Sequence, residues 1–327
     1  MGEMRKVQRT PGGTFFITVP KSWAEEYGLQ RGSIVSLSKA SDGRLLVDPK
    51  YDVISSPRTI VLEPKSYLSR EIMGKYLLGF DIIRVETKKR ISFEMRDVVK
   101  KTVSRLIGLE IVEEDYSRIV LQCLLDPSGF PPAKILRRGY AIASGMHRDV
   151  INALISGDAH LAKSVISRDD EVNRLYFLLV RILRTIIQNP SLSENLGVRP
   201  IECLDYRLVA SLVEAIGDEC ARAASKIVDL EDAEMPESLK KLSLDFQSTC
   251  FRTHRSALEA FLVGDVQAAE GVKEAREEVE RIFAEVERVA RDKSFDILPT
   301  ILAVISSLRR IYEHSVDIAD LVMPKKI

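Results

Sequence analysis

Glu214 and Asp218 stand four residues apart in a segment that is otherwise apolar, among Leu208, Val209, Leu212, Val213 and Ile216. If that segment is helical, the spacing puts both carboxylates on one face, where like charges repel unless a cation sits between them. Carboxylate oxygens suit Mg, Mn or Fe ions rather than a thiolate zinc site. Two carboxylates do not complete a coordination sphere, so Asp169, Asp170 or Asp205 would have to supply more oxygens. A second segment of the same kind reads Arg309-x-x-x-Glu313. Its arginine supplies a cation of its own and would pair with Glu313, so a metal is expected only in the first segment. The plain alternative is a solvated polar face.

No other constellation points to catalysis. His147, His160, His254 and His314 show no H-E-x-x-H spacing, and each is expected on the surface or in helix packing. No G-x-S-x-G surrounds a serine. The chain is expected not to be an enzyme. Cys123, Cys203, Cys220 and Cys250 are widely spaced, which predicts free thiols and a reducing, cytoplasmic setting.

The second chemical feature is a local excess of positive charge. Over the whole chain 48 Lys and Arg balance 48 Asp and Glu. The first 50 residues hold eight basic residues against five acidic ones. Arg5, Lys6 and Arg9 lead directly into the Gly12-Gly13 turn. Doubled across a two-fold dimer, such a patch would contact DNA phosphates, with Gln8 and Thr10 near enough to reach base edges. Lys21, at the first turn of a short helix, would add a phosphate contact. An ordinary solvated strand edge would look similar.

The elements that must hold these groups change character along the chain. Thr14 to Val19 reads as a strand stopped by Pro20, followed by a short helix with a Ser22/Glu25 capping box that ends at Gly28. Ser33 to Ser38 and Leu45 to Val47 read as strands around an Asp42-Gly43 turn. This head, residues 1–52, has too little core to stand alone and is expected to intertwine with a second copy. Residues 57–126 alternate β-α-β-α-β-β, with helices expected over Pro64 to Leu78 and Phe93 to Ile107. No glycine-rich phosphate loop follows any of these strands.

Beyond the Pro- and Gly-rich stretch at 126–132 the periodicity is helical. Helices are expected over 133–155, 159–188, 201–230, 237–262, 266–292 and 296–322, with 189–200 as a connector. They form two copies of one unit: Ala153-Leu154-Ile155-Ser156-Gly157-Asp158 matches Ala260-Phe261-Leu262-Val263-Gly264-Asp265, and Glu171-Val172 matches Glu278-Val279 at the same offset of 107. Two three-helix bundles, 133–230 and 237–323, follow. The fold class is thus multidomain, with a small β-rich head, an α/β middle segment and an all-α body. No apolar run reaches membrane-span length, since Arg181 and Arg184 interrupt the most apolar helix.

Two resemblances follow from these residues. Gly12-Gly13-Thr14-Phe15-Phe16-Ile17-Thr18-Val19-Pro20, with Tyr27-Gly28-Leu29 and Gly32-Ser33, resembles the SpoVT/AbrB swapped-hairpin DNA-binding domain. That resemblance implies interleaved homodimers and DNA contact through Arg5, Lys6 and Arg9. The chain departs from it at Ala24, Glu25 and Ser33, and some members only dimerise. The helical repeats resemble PhoU, the phosphate-uptake regulator built of two three-helix bundles. The matching segments are Asp169-Asp170-Glu171-Val172-Asn173-Arg174-Leu175, Glu214-Ala215-Ile216-Gly217-Asp218-Glu219 and Glu313-His314-Ser315-Val316-Asp317-Ile318-Ala319.

The PhoU resemblance implies metal binding at Glu214 and Asp218, and control of phosphate uptake through a transporter and a sensor kinase. The combined architecture resembles an archaeal type of regulator. Its expected function is a DNA-binding transcriptional regulator linked to phosphate. The alternative is an adaptor that acts on a phosphate transporter or signalling protein by contact, with the head only dimerising.

Overall fold

A computed structural model describes residues 3–39, 43–49, 57–228, 235–291 and 297–324. Asp42 of the expected Asp42-Gly43 turn and Lys50 lie outside the described residues, as do most of the acidic 231–236 separator and the separator at 292–295. The chain forms two compact units, Met1–Pro57 and Arg58–Ile327.

The first unit holds two small antiparallel hairpins and one helix. Strands β1 (Gln8–Arg9) and β2 (Phe15–Phe16) pair Gln8 with Phe16 and Arg9 with Phe15. The regular strand is two residues long rather than the six expected. Among the described residues of the unit, Ile17 to Val19 have no partner strand to extend the ladder. Helix α1 (Lys21–Glu26) begins two residues earlier than the capping box requires. Pro20, at φ −59°, sets the entry to the helix, so Ser22 falls inside the first turn and caps nothing. Strands β3 (Ser36–Lys39) and β4 (Leu45–Asp48) form the second hairpin. None of the described residues of this unit is buried.

The second unit begins with a mixed sheet. Strand β5 (Thr59–Leu62), helix α2 (Leu68–Leu77), strand β6 (Ile82–Glu86), helix α3 (Phe93–Ser104) and strands β7 (Leu109–Glu114) and β8 (Arg118–Cys123) give the sheet order β5-β6-β8-β7. Only the β5–β6 pair is parallel. Leu68, Ile72 and Tyr76 of α2 and Val99 of α3 pack on Ile83, Val85, Ile119 and Leu121 to form a core of their own. Helix α2 is a turn shorter than expected at its N-terminus, where 64–67 form a non-helical lead-in.

The helical body follows. Helices α4 (Pro132–Ser156), α5 (Ala159–Gln188), α6 (Pro190–Leu196) and α7 (Glu202–Ile227) make the first bundle, with α6 a short insertion. Helices α8 (Glu237–Val263), α9 (Val266–Glu274), α10 (Arg276–Arg291) and α11 (Leu298–Asp320) make the second. The repeat is written in its turns. Gly157 and Gly264 close α4 and α8 in the left-handed conformation, at φ 65° and 79°. Asp158 and Asp265 then open the next helix by accepting a hydrogen bond from the backbone N–H of Leu161 and Ala268, at 2.9 and 3.0 Å. The connector 189–200 holds α6, whose Asn189 cap, Pro190 start and Gly197 stop are the usual helix punctuation.

One apolar core runs through both bundles. The α/β segment is fastened to it by Arg181 of α5, a buried side chain. Its guanidinium donates to the carbonyls of Tyr76 (2.6 Å) and Phe80 (3.0 Å) and stacks over the Tyr76 ring. Arg58 adds hydrogen bonds to Leu78 O and Gln188 Oε1, at 3.0 and 3.1 Å.

Candidate functional site

The acidic cluster forms where α5 meets α7. Gly217 lies at the crossing, where a Cβ would be in ordinary contact with Val172 at 3.4 Å and Asp169 Oδ1 at 3.5 Å. The Asp169 and Asp218 carboxyls are close enough across the two helices to act on each other's charge, and Glu214 lies one turn before Asp218. Asn173 Nδ2 donates to Asp169 Oδ2 at 2.9 Å, while Asp169 Oδ1 is buried with no hydrogen bond.

Burial, and then the Asp218 charge, push the Asp169 carboxyl up to about 6. The same two causes push Glu214 up to about 7. Burial also raises Asp218, offset by Arg222 and by Asp169. Near neutral pH the cluster therefore holds protons that exposed carboxylates would have released.

The expected partners divide. Asp169 joins Glu214 and Asp218. Asp170 points outward, an exposed side chain that reaches Asp169 only through its charge. Asp205 stands nine residues before Glu214 on α7, about 13 Å along the axis. Among the described residues no three His, Cys, Asp or Glu side chains are grouped as a metal ion requires.

The second bundle treats the corresponding place differently. Arg309 Nη2 pairs with Glu280 Oε1 at 2.9 Å, its Nε lies 3.9 Å from Glu313 Oε1, and its guanidinium covers the Phe283 ring. The arginine thus supplies the local cation, as the charge pattern predicts. Where the first bundle has Gly217 before Asp218, the second has Tyr312 before Glu313. The Tyr312 hydroxyl donates to Val272 O at 3.2 Å, taking a carbonyl that a continuous helix would offer to Arg276 N–H. The chain breaks there into α9 and α10, where a single helix over 266–292 was expected. Between α10 and α8 lies a groove of about 300 Å³ lined by Asp245, Thr249, Arg252, Glu278, Arg281 and Glu285.

Sequence reasoning missed the contact between the bundles. His147 and His254, expected on polar faces or in packing, are both fully buried and hydrogen-bonded to each other, Nδ1 to Nε2, at 2.7 Å. They stand 107 residues apart, the repeat offset, so the signal was present. The Tyr140 hydroxyl bonds His254 Nδ1 at 2.8 Å. Burial lowers His147 to about 3 and His254 well below its usual value, so both rings are neutral. A second link between the bundles is Glu219 of α7, which receives Arg310 of α11 at 3.3 Å as well as its own-helix neighbour Arg222 at 3.0 Å.

The head residues are spread along one hairpin and one helix start. Arg5 is engaged by Glu3, and the Arg9 guanidinium lies 5.5 Å from the centre of the Phe15 ring. The Thr10 hydroxyl accepts from Thr14 N–H at 3.1 Å within the hairpin turn. Lys21 pairs with Glu25 at 3.6 Å. Lys6 and Gln8 keep exposed side chains with no ion pair or hydrogen bond among the described residues.

No helix among the described residues is long and apolar enough to cross a membrane. The four cysteines are free thiols. No curated protein matches the chain in sequence. Among solved structures, it is similar to the crystal structure of PhoU from Pseudomonas aeruginosa, at 24% identity and a TM-score of 0.52, covering 58% of this chain and 93% of that one. A phosphate transport system regulatory protein PhoU from Streptococcus pneumoniae aligns at 17% identity and a TM-score of 0.46, covering 58% of this chain and 92% of that one. The PhoU domain model matches residues 136–227 and 245–322, one stretch in each bundle, and the chain belongs to that family.

Proposed function

We propose that the helical body regulates phosphate transport by direct contact with a transporter or signalling protein, and that the head holds two copies of the chain together. The observation that carries this reading is the family match in both bundles, which share one core. Phosphate uptake measured in cells lacking the chain tests it. Uptake should escape repression at high phosphate and return to normal when the full chain is restored. Unchanged uptake would overturn it.

Dimerisation is supported by the head itself. Phe15 is 67% exposed, and Ile17, Ile34, Leu37 and Leu45 are exposed with it. Burying such side chains is worth about 1.5–3 kcal/mol each when complete, far more than a solvated hairpin recovers. Light scattering should give a dimer mass for the whole chain, and Phe15→Ser with Leu37→Ser should shift it toward monomer.

A second reading, a transcriptional regulator whose head binds DNA, is favoured by the free Lys6 and Gln8 on the arm leading into the hairpin. Salt-dependent binding to duplex DNA, weakened by joint replacement of Arg5, Lys6 and Arg9 with Ala, would support it. Duplex held no better than by a control protein at low salt would remove it.

The expected divalent cation is a separate proposal, and no step of the adaptor role passes through it. Metal content should fall in Glu214→Ala and Asp218→Ala; equal content in both variants and the parent would exclude these side chains.

A further inference from the structure

The α/β segment carries a surface that neither the bundles nor the head reading uses. Strand β6 ends at Glu86, and the loop after it reads Thr87-Lys88-Lys89-Arg90-Ile91. This loop is tied to the β7–β8 turn: Thr87 N–H donates to Ser117 O at 3.0 Å, and Ile91 N–H to Tyr116 O at 2.8 Å. Both therefore lie at the same end of the sheet, together with the first turn of α3. Phe93 there is 80% exposed and Tyr116 is 69% exposed. Two aromatic rings thus flank three consecutive exposed cations.

The acids nearby are mostly engaged elsewhere. Arg118 pairs with Glu113 (2.7 Å) and Asp115 (3.9 Å), and Arg96 with Glu114. Glu94 is held by its own backbone N–H and by Ser92 at the start of α3. Glu86 stands opposite Arg118 in the sheet register. Lys88, Lys89 and Arg90 have no ion-pair partner among the described residues. Consecutive cations beside outward-pointing rings match an anionic bilayer surface, where cations meet headgroups and rings enter the interface. The rings sit at a loop tip and the first turn of a helix, not along a sheet face or groove of the kind that stacks successive bases.

We propose that this sheet end, with Lys88, Lys89, Arg90, Phe93 and Tyr116, docks the protein reversibly on anionic lipid membranes. The proposal is independent of the adaptor reading.

Vesicle flotation with the full chain tests it, using mixed phosphatidylglycerol and phosphatidylcholine against phosphatidylcholine alone. The chain should float with the anionic vesicles only, and less so as salt rises. Joint replacement Lys88→Glu, Lys89→Glu and Arg90→Glu should weaken binding by at least roughly a hundredfold. Phe93→Ser should weaken it roughly tenfold. Replacement of Arg5, Lys6 and Arg9 with Ala should leave it unchanged. Phe93→Trp in a Trp23→Phe background should be quenched by brominated lipid. Circular dichroism of each variant checks that the fold is retained.

Absence of flotation, flotation indifferent to the loop replacement, or an unquenched tryptophan would overturn the proposal. So would loss of single-stranded DNA binding, without loss of flotation, in the loop variant; the surface would then be a nucleic-acid site.

Discussion

The two bundles descend from one pattern and solve one packing problem in opposite ways. In the first, α5 runs unbroken past Gly217 of α7, and Asp169 lies near Asp218 with Glu214 beside them. An apolar crevice of about 10 Å³ lies beside Glu214. In the second, Tyr312 takes a carbonyl from the facing helix, which splits into α9 and α10, and Arg309 neutralises Glu280 and Glu313. The first copy keeps acids whose carboxyls titrate high; the second pairs its acids with an arginine and has a groove between α8 and α10. One residue beside the acidic position, glycine or tyrosine, accompanies the whole difference.

The strongest way to break this comparison is to cut what joins the copies. His254→Ala leaves the Tyr140 hydroxyl and His147 Nδ1 buried and unpaired and opens a cavity. We expect a loss of about 3–5 kcal/mol, read as a lower urea midpoint, with the two bundles unfolding in separate steps.

Arg309→Met removes the cation of the second copy while keeping its bulk. Its pairs are partly solvated, so the loss should be about 1–2 kcal/mol, including the stacking on Phe283. The variant should also acquire a carboxyl that titrates above its usual range, visible by NMR.

Glu214→Gln should do the reverse in the first copy. Glu214 has a raised folded pKa, so its contribution is fully present below the unfolded value near 4.5 and is lost as pH rises through about 7. The Gln variant should therefore gain on the parent between pH 5 and 8, by about 1 kcal/mol or less, since the group is half solvated. Melting temperatures of both proteins at the two ends of that range check the sign. The neutral histidines oppose this trend, losing stability as pH falls below about 6.5, but equally in parent and variant.

The smallest effect concerns the broken helix. A Cβ at Gly271 of α9 meets open space, so Gly271→Ala should stabilise the second bundle by about 0.5–1 kcal/mol in thermal melts.

Much of this was legible in the sequence because it is written locally. The Gly-Asp turns announced both bundles through capping chemistry that depends on adjacent residues alone. The pairing of Arg309 with Glu313 followed from helical spacing. What was not legible depends on distant partners. The break at Ala275 is tied to a tyrosine some forty residues away. The burial of His147 is decided by α8, though the shared offset with His254 could have exposed it. Asp170 looked as good a ligand as Asp169 because nothing local says which of two neighbouring aspartates faces α7. The short head strand was overread because Ile17 to Val19 find no pairing strand among the described residues of a single copy.

The histidine contact carries a consequence for how the halves relate. Residues at equivalent places in a repeat would face each other through identical atoms if the repeat axis were exact. Here Nδ1 of one ring meets Nε2 of the other. A single hydrogen lies between them, so one ring donates and the other accepts. One half therefore gives and the other receives, and the two halves of the body are chemically distinguishable at the point where they touch.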